Sequence, residues 1–378
     1  MKIKLKKNVS LCLILCVIFL FSSCDLSGLT TDFSSVEMKY NNDVKRYYYN
    51  LLSDNAKIAY TLILNSISEH PEKIEIPSLS EEDFNSVFYA ISYDNPSILC
   101  LGSTSQIKSQ GSKSYFIPVY SEDVASCNNK TSELNSKVNS ILQSVPQNMS
   151  EYDKELYVHD YICKNCSYDS ESDLSVSSTA YEALIEGKTV CEGYARAAQL
   201  LLNGLEIKNY LITGDATNSE KVTESHMWNI VTIGQKNYHL DLTWDDYDET
   251  GENLSHSYFN VSDDMISANH FKFDPQSNNC ISTESNFFVK SGLLFSDYSS
   301  SVDSKIISES VNNIKSRNAE VEICFTDKSS LSKAQNSLID NSNIYDLLDI
   351  INRKSKKKYK DVKYTLDEDM NVLQFIFE

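Results

Sequence analysis

Three residues of this 378-residue sequence have the types and contexts of a nucleophile, a base and an orienting acid: Cys191, His226 and Asp241. Cys191 follows the strand-like Thr189-Val190 and opens CEGYARAAQLLLNG, in which Ala195, Ala198 and Leu202 recur at helical spacing. A helix N-terminus favours an anion through its dipole and its N–H groups. A thiol there ionises below its free value of about 8.5 and becomes a nucleophile. The same N–H groups can hold an oxyanion, and Gly193 leaves room beside the thiol. A cysteine in this position is more often structural, so it needs partners. His226 would take the thiol proton and return one to the leaving group, while Asp241 would fix the imidazole tautomer and stabilise its charged form. His239 is a rival base. His159 reads as a packed or capping residue, and His70, His256 and His270 have no distinctive context.

These side chains must be held by a helix and an antiparallel sheet. Strands are expected at NYLITG (209–214), HMWNIVTI (226–233) and YHLDLTW (238–244), the last two joined by GQKN. Closing that hairpin around Gln235–Lys236 puts His226, Trp228 and Ile230 on the same face as His239, Asp241 and Thr243. In this register Asp241 lies opposite Ile230, about 13 Å along the strand from His226, so contact needs strong twist, a bulge or another register. Upstream, a helix starts at Ser150-Glu151-Tyr152-Asp153 and ends near Lys164, a polar loop covers 169–178, and a helix around Thr179–Glu186 leads to Gly187.

VCEGYA (190–195), SHMWN (225–229) and LDLTWDD (240–246) resemble, in order, the three signature blocks of the transglutaminase-like, papain-related superfamily. YVHDYICKNCSYD (157–169) and YEALIEGKTV (181–190) resemble the run-up to them in bacterial members. The resemblance implies an α+β papain-like core, with a catalytic Cys191 at a helix N-terminus packed on an antiparallel sheet carrying His226 and Asp241. It implies acyl transfer on a peptide or amide bond, with hydrolysis slightly favoured over protein cross-linking. Trp228 and Trp244, the only tryptophans, would flank the substrate or wall the site. The alternative is a surface binding or assembly lipoprotein that reuses the fold without catalysis.

The remaining chain divides around this core, taken as residues 149–275. MKIKLKK and the apolar run 9–22 form a secretory signal, too short for a membrane span of about 20 residues. FSSC (21–24) resembles a bacterial lipobox with Cys24 as the lipidated residue, so 1–24 is a signal peptide, 25–40 a polar tether, and the protein is lipid-anchored outside the cytoplasm. Residues 41–148 read as an α+β region, with helices over 41–70, after Ser80 and over 125–145, and strands at SILCL (97–101) and SYFIPVY (114–120). Residues 300–378 read as a small α/β appendage: a strand at 320–326, one or two helices in 328–354, and strands at 361–366 and 371–377.

The net charge of −19, with four lysines and no acid in residues 1–23, repels phosphate backbones and excludes nucleic acid as a partner. The partners left are a protein or peptide substrate and the membrane reached through the lipid. Seven cysteines remain beyond Cys24. Besides Cys191, the other six either form up to three disulfides or serve as small buried hydrophobes. Cys163-x-x-Cys166 has neither the second CxxC of a zinc site nor a βαβ setting. DDYDETGEN (245–253) lacks the calcium-loop spacing, so no metal or cofactor is expected. RKSKKKYKDVK (353–363) reads as a solvated helix end or as a contact for anionic polymer or lipid.

Overall fold

Serine and aspartate caps start the helices where the sequence places them. In this computed structural model, which describes residues 33, 35–38, 46–170, 178–246, 254–274, 279–312, 319–356 and 358–378, side-chain oxygens of Ser53, Ser80, Asp123 and Ser150 each accept a first-turn N–H. The signal, Cys24 and most of the tether lie outside the described residues, as does most of the 169–178 loop. No helix among the described residues is long and apolar enough to cross a membrane.

The chain begins with α1 (Tyr47–Leu51), α2 (Asp54–Ser66), β1 (Ile74–Ile76), α3 (Glu81–Asp94), β2 (Gln106–Gln110) and β3 (Lys113–Ile117). The predicted 41–70 helix breaks at Ser53, which caps α2. SILCL forms no strand, only an isolated bridge from Leu101 to Tyr120, and the antiparallel sheet has the order β1-β3-β2. Phe84, Val87, Phe88 and Ile91 of α3 bury one face against Tyr60, Ile63 and Phe116. Next come α4 (Val124–Ser144), α5 (Glu151–Asn165), the short parallel pair β4 (Ser167–Tyr168) and β5 (Lys188–Thr189), and α6 (Cys191–Gly204). Cys100 and Cys127 form the one disulfide among the described residues. Cys163, Cys166, Cys280 and Cys324 are buried free thiols.

The central sheet is antiparallel, in the order β10-β6-β7-β8-β9, from β6 (Asn209–Thr217), β7 (Thr223–Ile233), β8 (Lys236–Leu240), β9 (Phe259–Val261) and β10 (His270–Asp274). Two short helices, α7 (Leu242–Asp245) and α8 (Asp263–Ile266), interrupt the return. Odd-numbered Val231 and Ile233 of β7 pack with the apolar faces of α4, α5 and α6, whereas even-numbered Trp228 and Ile230 face the C-terminal part. That part contains α9 (Phe287–Ser291), β11 (Leu294–Phe295), α10 (Ser300–Asn312), β12 (Ala319–Phe325), α11 (Lys328–Gln335), α12 (Ile344–Ser355), β13 (Val362–Asp367) and β14 (Val372–Phe377). Its sheet has the order β11-β12-β14-β13. Ile323, Phe325, Leu373 and Phe375 share one hydrophobic core with Tyr210, Ile212, Trp228 and Ile230 of the central sheet. The expected appendage is therefore a second layer continuous with the core.

The N-terminal region docks on the other side of the sheet through buried polar contacts. The Arg196 guanidinium pairs with Glu192 at 2.8 Å and donates to the Ser92 carbonyl at 2.6 Å. Gln199 Nε2 donates to the Tyr93 carbonyl and Tyr48 Oη to the Leu211 carbonyl.

Candidate active site

Helix α6 begins with Cys191 itself as its first residue, after the extended Val190. Burial of Ala195, Ala197, Ala198, Leu201 and Leu202 seats the helix on the sheet, and Asn229 Nδ2 of β7 donates to the Ala195 carbonyl at 3.0 Å. The thiol is half-buried, at the end of the helix where the dipole favours its anion. Gly193 does not make room for the thiol. A Cβ built there would meet Thr189 Oγ1 at 2.0 Å, so the glycine exists to let β5 cross close to the helix.

His226 and Asp241 meet because the hairpin closes on Gly234 and Gln235, both in the left-handed region (φ 56° and 69°), as a two-residue turn with positive φ at both positions. Ile230 therefore pairs with His239 instead of Asp241, which moves Asp241 two residues toward His226. The expected strand 238–244 also stops at Leu240. Asp241 caps α7: its Oδ1 accepts from Thr243 and Trp244 N–H, freeing Oδ2 to meet His226 Nε2 at 2.6 Å. With Nε2 held by the carboxylate, Nδ1 is the nitrogen left to exchange a proton with a thiol. Burial disfavours a charged His226, but the charge and hydrogen bond of Asp241, followed by the hydrogen bond and charge of Cys191, push it up to about 10. Burial likewise opposes an ionised Asp241, yet His226 and then His270 hold its carboxyl well below the usual range.

The rival base His239 does not reach the thiol. Trp228 Nε1 donates to its Nδ1 at 2.9 Å, its Nε2 meets Asp263 Oδ1 at 2.7 Å, and burial lowers its pKa. Trp228 is 1% exposed and stacks on His226 at 5.5 Å, so it orients the imidazole and offers no surface to a substrate. Gly214, opposite His226 in the ladder, leaves space for the Trp228 ring, which a Cβ would approach to 2.8 Å. Trp244 is half-buried, edge-on to His226 at 6.2 Å, and can wall the site.

Three neighbours escaped the sequence reading. His270 Nε2 contacts Asp241 Oδ2 at 3.1 Å, while its Nδ1 meets Asn269 Oδ1 at 2.6 Å. The alternation in HFKFD could have marked β10, but only its pairing with Ala216 brings His270 to the aspartate. Tyr168 is raised by burial and then by the Cys191 charge, and Glu224 by burial against the lowering effect of His226; no residue pattern marks either.

A cysteine at a helix start and a His–Asp pair on an antiparallel sheet define an α+β core. Residues 139–243 match the family model of the transglutaminase-like superfamily, and this segment is a transglutaminase-like domain. Among solved structures, the chain is similar to a candidate cysteine protease from Cytophaga hutchinsonii (19% identity, 30% of this chain and 37% of that one, TM-score 0.24). It is also similar to a TGase (18% identity, 44% and 48%, TM-score 0.25) and to the periplasmic domain of TgpA from Pseudomonas aeruginosa bound to ethylmercury (13% identity, 38% and 60%, TM-score 0.23). The chain thus spans less than two-thirds of the length of each of these. No curated protein matches it significantly.

Proposed function

We propose that this chain is an exported, lipid-anchored thiol enzyme that cleaves a peptide or amide bond through Cys191, His226 and Asp241. The observation that carries this reading is the His226–Asp241 pair, with Nε2 on the carboxylate at 2.6 Å and Cys191 among the groups that favour the charged ring. An imidazolium held in the neutral range is the counter-charge a thiolate needs. The thiolate adds to the carbonyl carbon, the first-turn N–H groups of α6 receive the oxyanion, and His226 gives its proton to the leaving nitrogen as the C–N bond breaks. His226 then takes a proton from water, which attacks the thioester. The acid leaves and the thiol is restored. An amine in place of water would give cross-linking.

The test is the pH dependence of iodoacetamide labelling, mapped by peptide mass spectrometry on the chain from residue 25. Selective labelling of Cys191 well below pH 8, lost in His226→Ala, supports the enzyme. A Cys191 that is inert or indifferent to His226 leaves the non-catalytic binding lipoprotein.

A further inference from the structure

Outside the thiol site, the described residues hold two more groups of side chains whose ligand atoms lie within 4.8 Å of one another: His159/Asp160/His256 and His239/Asp263/Cys280. Hydrogen-bond chemistry separates them. A tryptophan N–H only donates, so Trp228 fixes the lone pair of His239 on Nδ1 and its proton on Nε2, facing Asp263. That ring has no lone pair to offer a cation beside Asp263.

His159 and His256 are arranged differently. His159 presents Nδ1 to Asp160 Oδ1 at 3.1 Å and Nε2 to Asp245 Oδ2 at 3.2 Å, with Cys163 Sγ at 3.8 Å from the same Nε2. His256 presents Nε2 to the same Asp160 oxygen at 3.2 Å and Nδ1 to Glu322 Oε2 at 2.6 Å. Each ring lies between two carboxylates, and one nitrogen from each converges on one oxygen. The two rings, with centroids 5.0 Å apart, thus bring one nitrogen each to the same carboxylate oxygen, and a divalent cation between the three atoms would take a lone pair from each.

The spacing agrees with an ion. Ligands bound tetrahedrally at about 2.0–2.1 Å lie about 3.3 Å apart. The contacts on Asp160 are 3.1 and 3.2 Å, longer than the about 2.7–2.9 Å of a charge-assisted hydrogen bond. The outer nitrogens are also held as those of metal-bound histidines are, each donating to a carboxylate, here Asp245 and Glu322. We infer that His159 Nδ1, Asp160 Oδ1 and His256 Nε2 form a zinc-type site, with water completing the coordination beside the partly exposed Asp160. It shares no ligand with the Cys191 centre. It joins α5 to the segment before β9 and, through Glu322, to β12, so it acts as a clamp between the core and the C-terminal layer.

The experiment is calorimetric titration of ZnCl2 into the EDTA-treated chain, with thermal melts. One site per chain is expected, kept in the Cys191→Ala/His226→Ala variant and weakened at least about 100-fold in Asp160→Asn and His256→Gln, the upper end of what loss of an outer-shell partner costs. Should those variants fail to fold, Glu322→Gln keeps all three ligands and still weakens binding about 10–100-fold. Zinc should raise Tm in the Cys191→Ala/His226→Ala variant. Absence of stoichiometric binding, or binding that survives Asp160→Asn and His256→Gln, overturns the site. So does binding lost only with His226, which would put the ion on the thiol centre.

Discussion

Asp241→Asn keeps the size of the side chain and an oxygen able to cap α7, and removes the charge that faces His226. With Asp241 ionised, His226 is pushed up to about 10. Without it, the ring falls toward its ordinary value of about 6.5, with burial lowering it and Cys191 alone raising it. At about pH 7.5 the imidazolium then falls from nearly all molecules toward about one in ten. The sign follows from the raised value: the thiolate–imidazolium pair persists until pH approaches about 10 in the wild type, and the variant forfeits it over the window from about 6.5 upward. Iodoacetamide labelling of Cys191 at about pH 7.5 should slow at least about 10-fold. Amide turnover, which also uses the imidazolium as proton donor, should fall about 10²–10⁴-fold. An unchanged labelling rate in a variant with wild-type circular dichroism and Tm would refute the role given to Asp241.

Gly193→Ala should cost about 1–3 kcal/mol, because its Cβ would meet Thr189 Oγ1 at 2.0 Å, and Thr189→Ala in the same chain should recover most of the loss in a urea melt. Arg196→Ala removes the cation paired with the buried Glu192 carboxylate and the contact of α6 with Ser92, so about 3–5 kcal/mol should disappear by denaturant unfolding; a change near zero would show the N-terminal region is not held there. Cys100→Ala/Cys127→Ala opens a loop with a sequence separation of 27 residues and should destabilise by about 3.5 kcal/mol, read as a lower Tm that added reductant no longer changes.

Much of the molecule was legible because local signals and tertiary demands agree. Ser80 and Ser150 are followed by first-turn acids and do cap α3 and α5, and Ser53 caps α2. The strands and helices of 320–377 follow their apolar periodicity closely, since each buries one face in the shared core. SILCL misled because its apolar residues enter the core from a loop, tied by the Cys100 disulfide, without a strand partner beyond Leu101–Tyr120. Periodicity does not mark β1, which is only three residues long, or β2, which is polar.

The thiol site divides along the same line. The sequence by itself determined that Cys191 opens a helix and that His226 and Asp241 share parity, because helix starts and the two-residue period of strands are local properties. Contact was decided by the tertiary structure. The backbone at Gly234–Gln235 shifted the register, α7 turned Asp241 out of its strand, and β10 delivered His270 to the same oxygen. A residue's neighbours along the chain limit its own torsions, whereas register and cross-sheet distance depend on which strands pair and how tightly they turn, and those choices are made by packing over the whole fold.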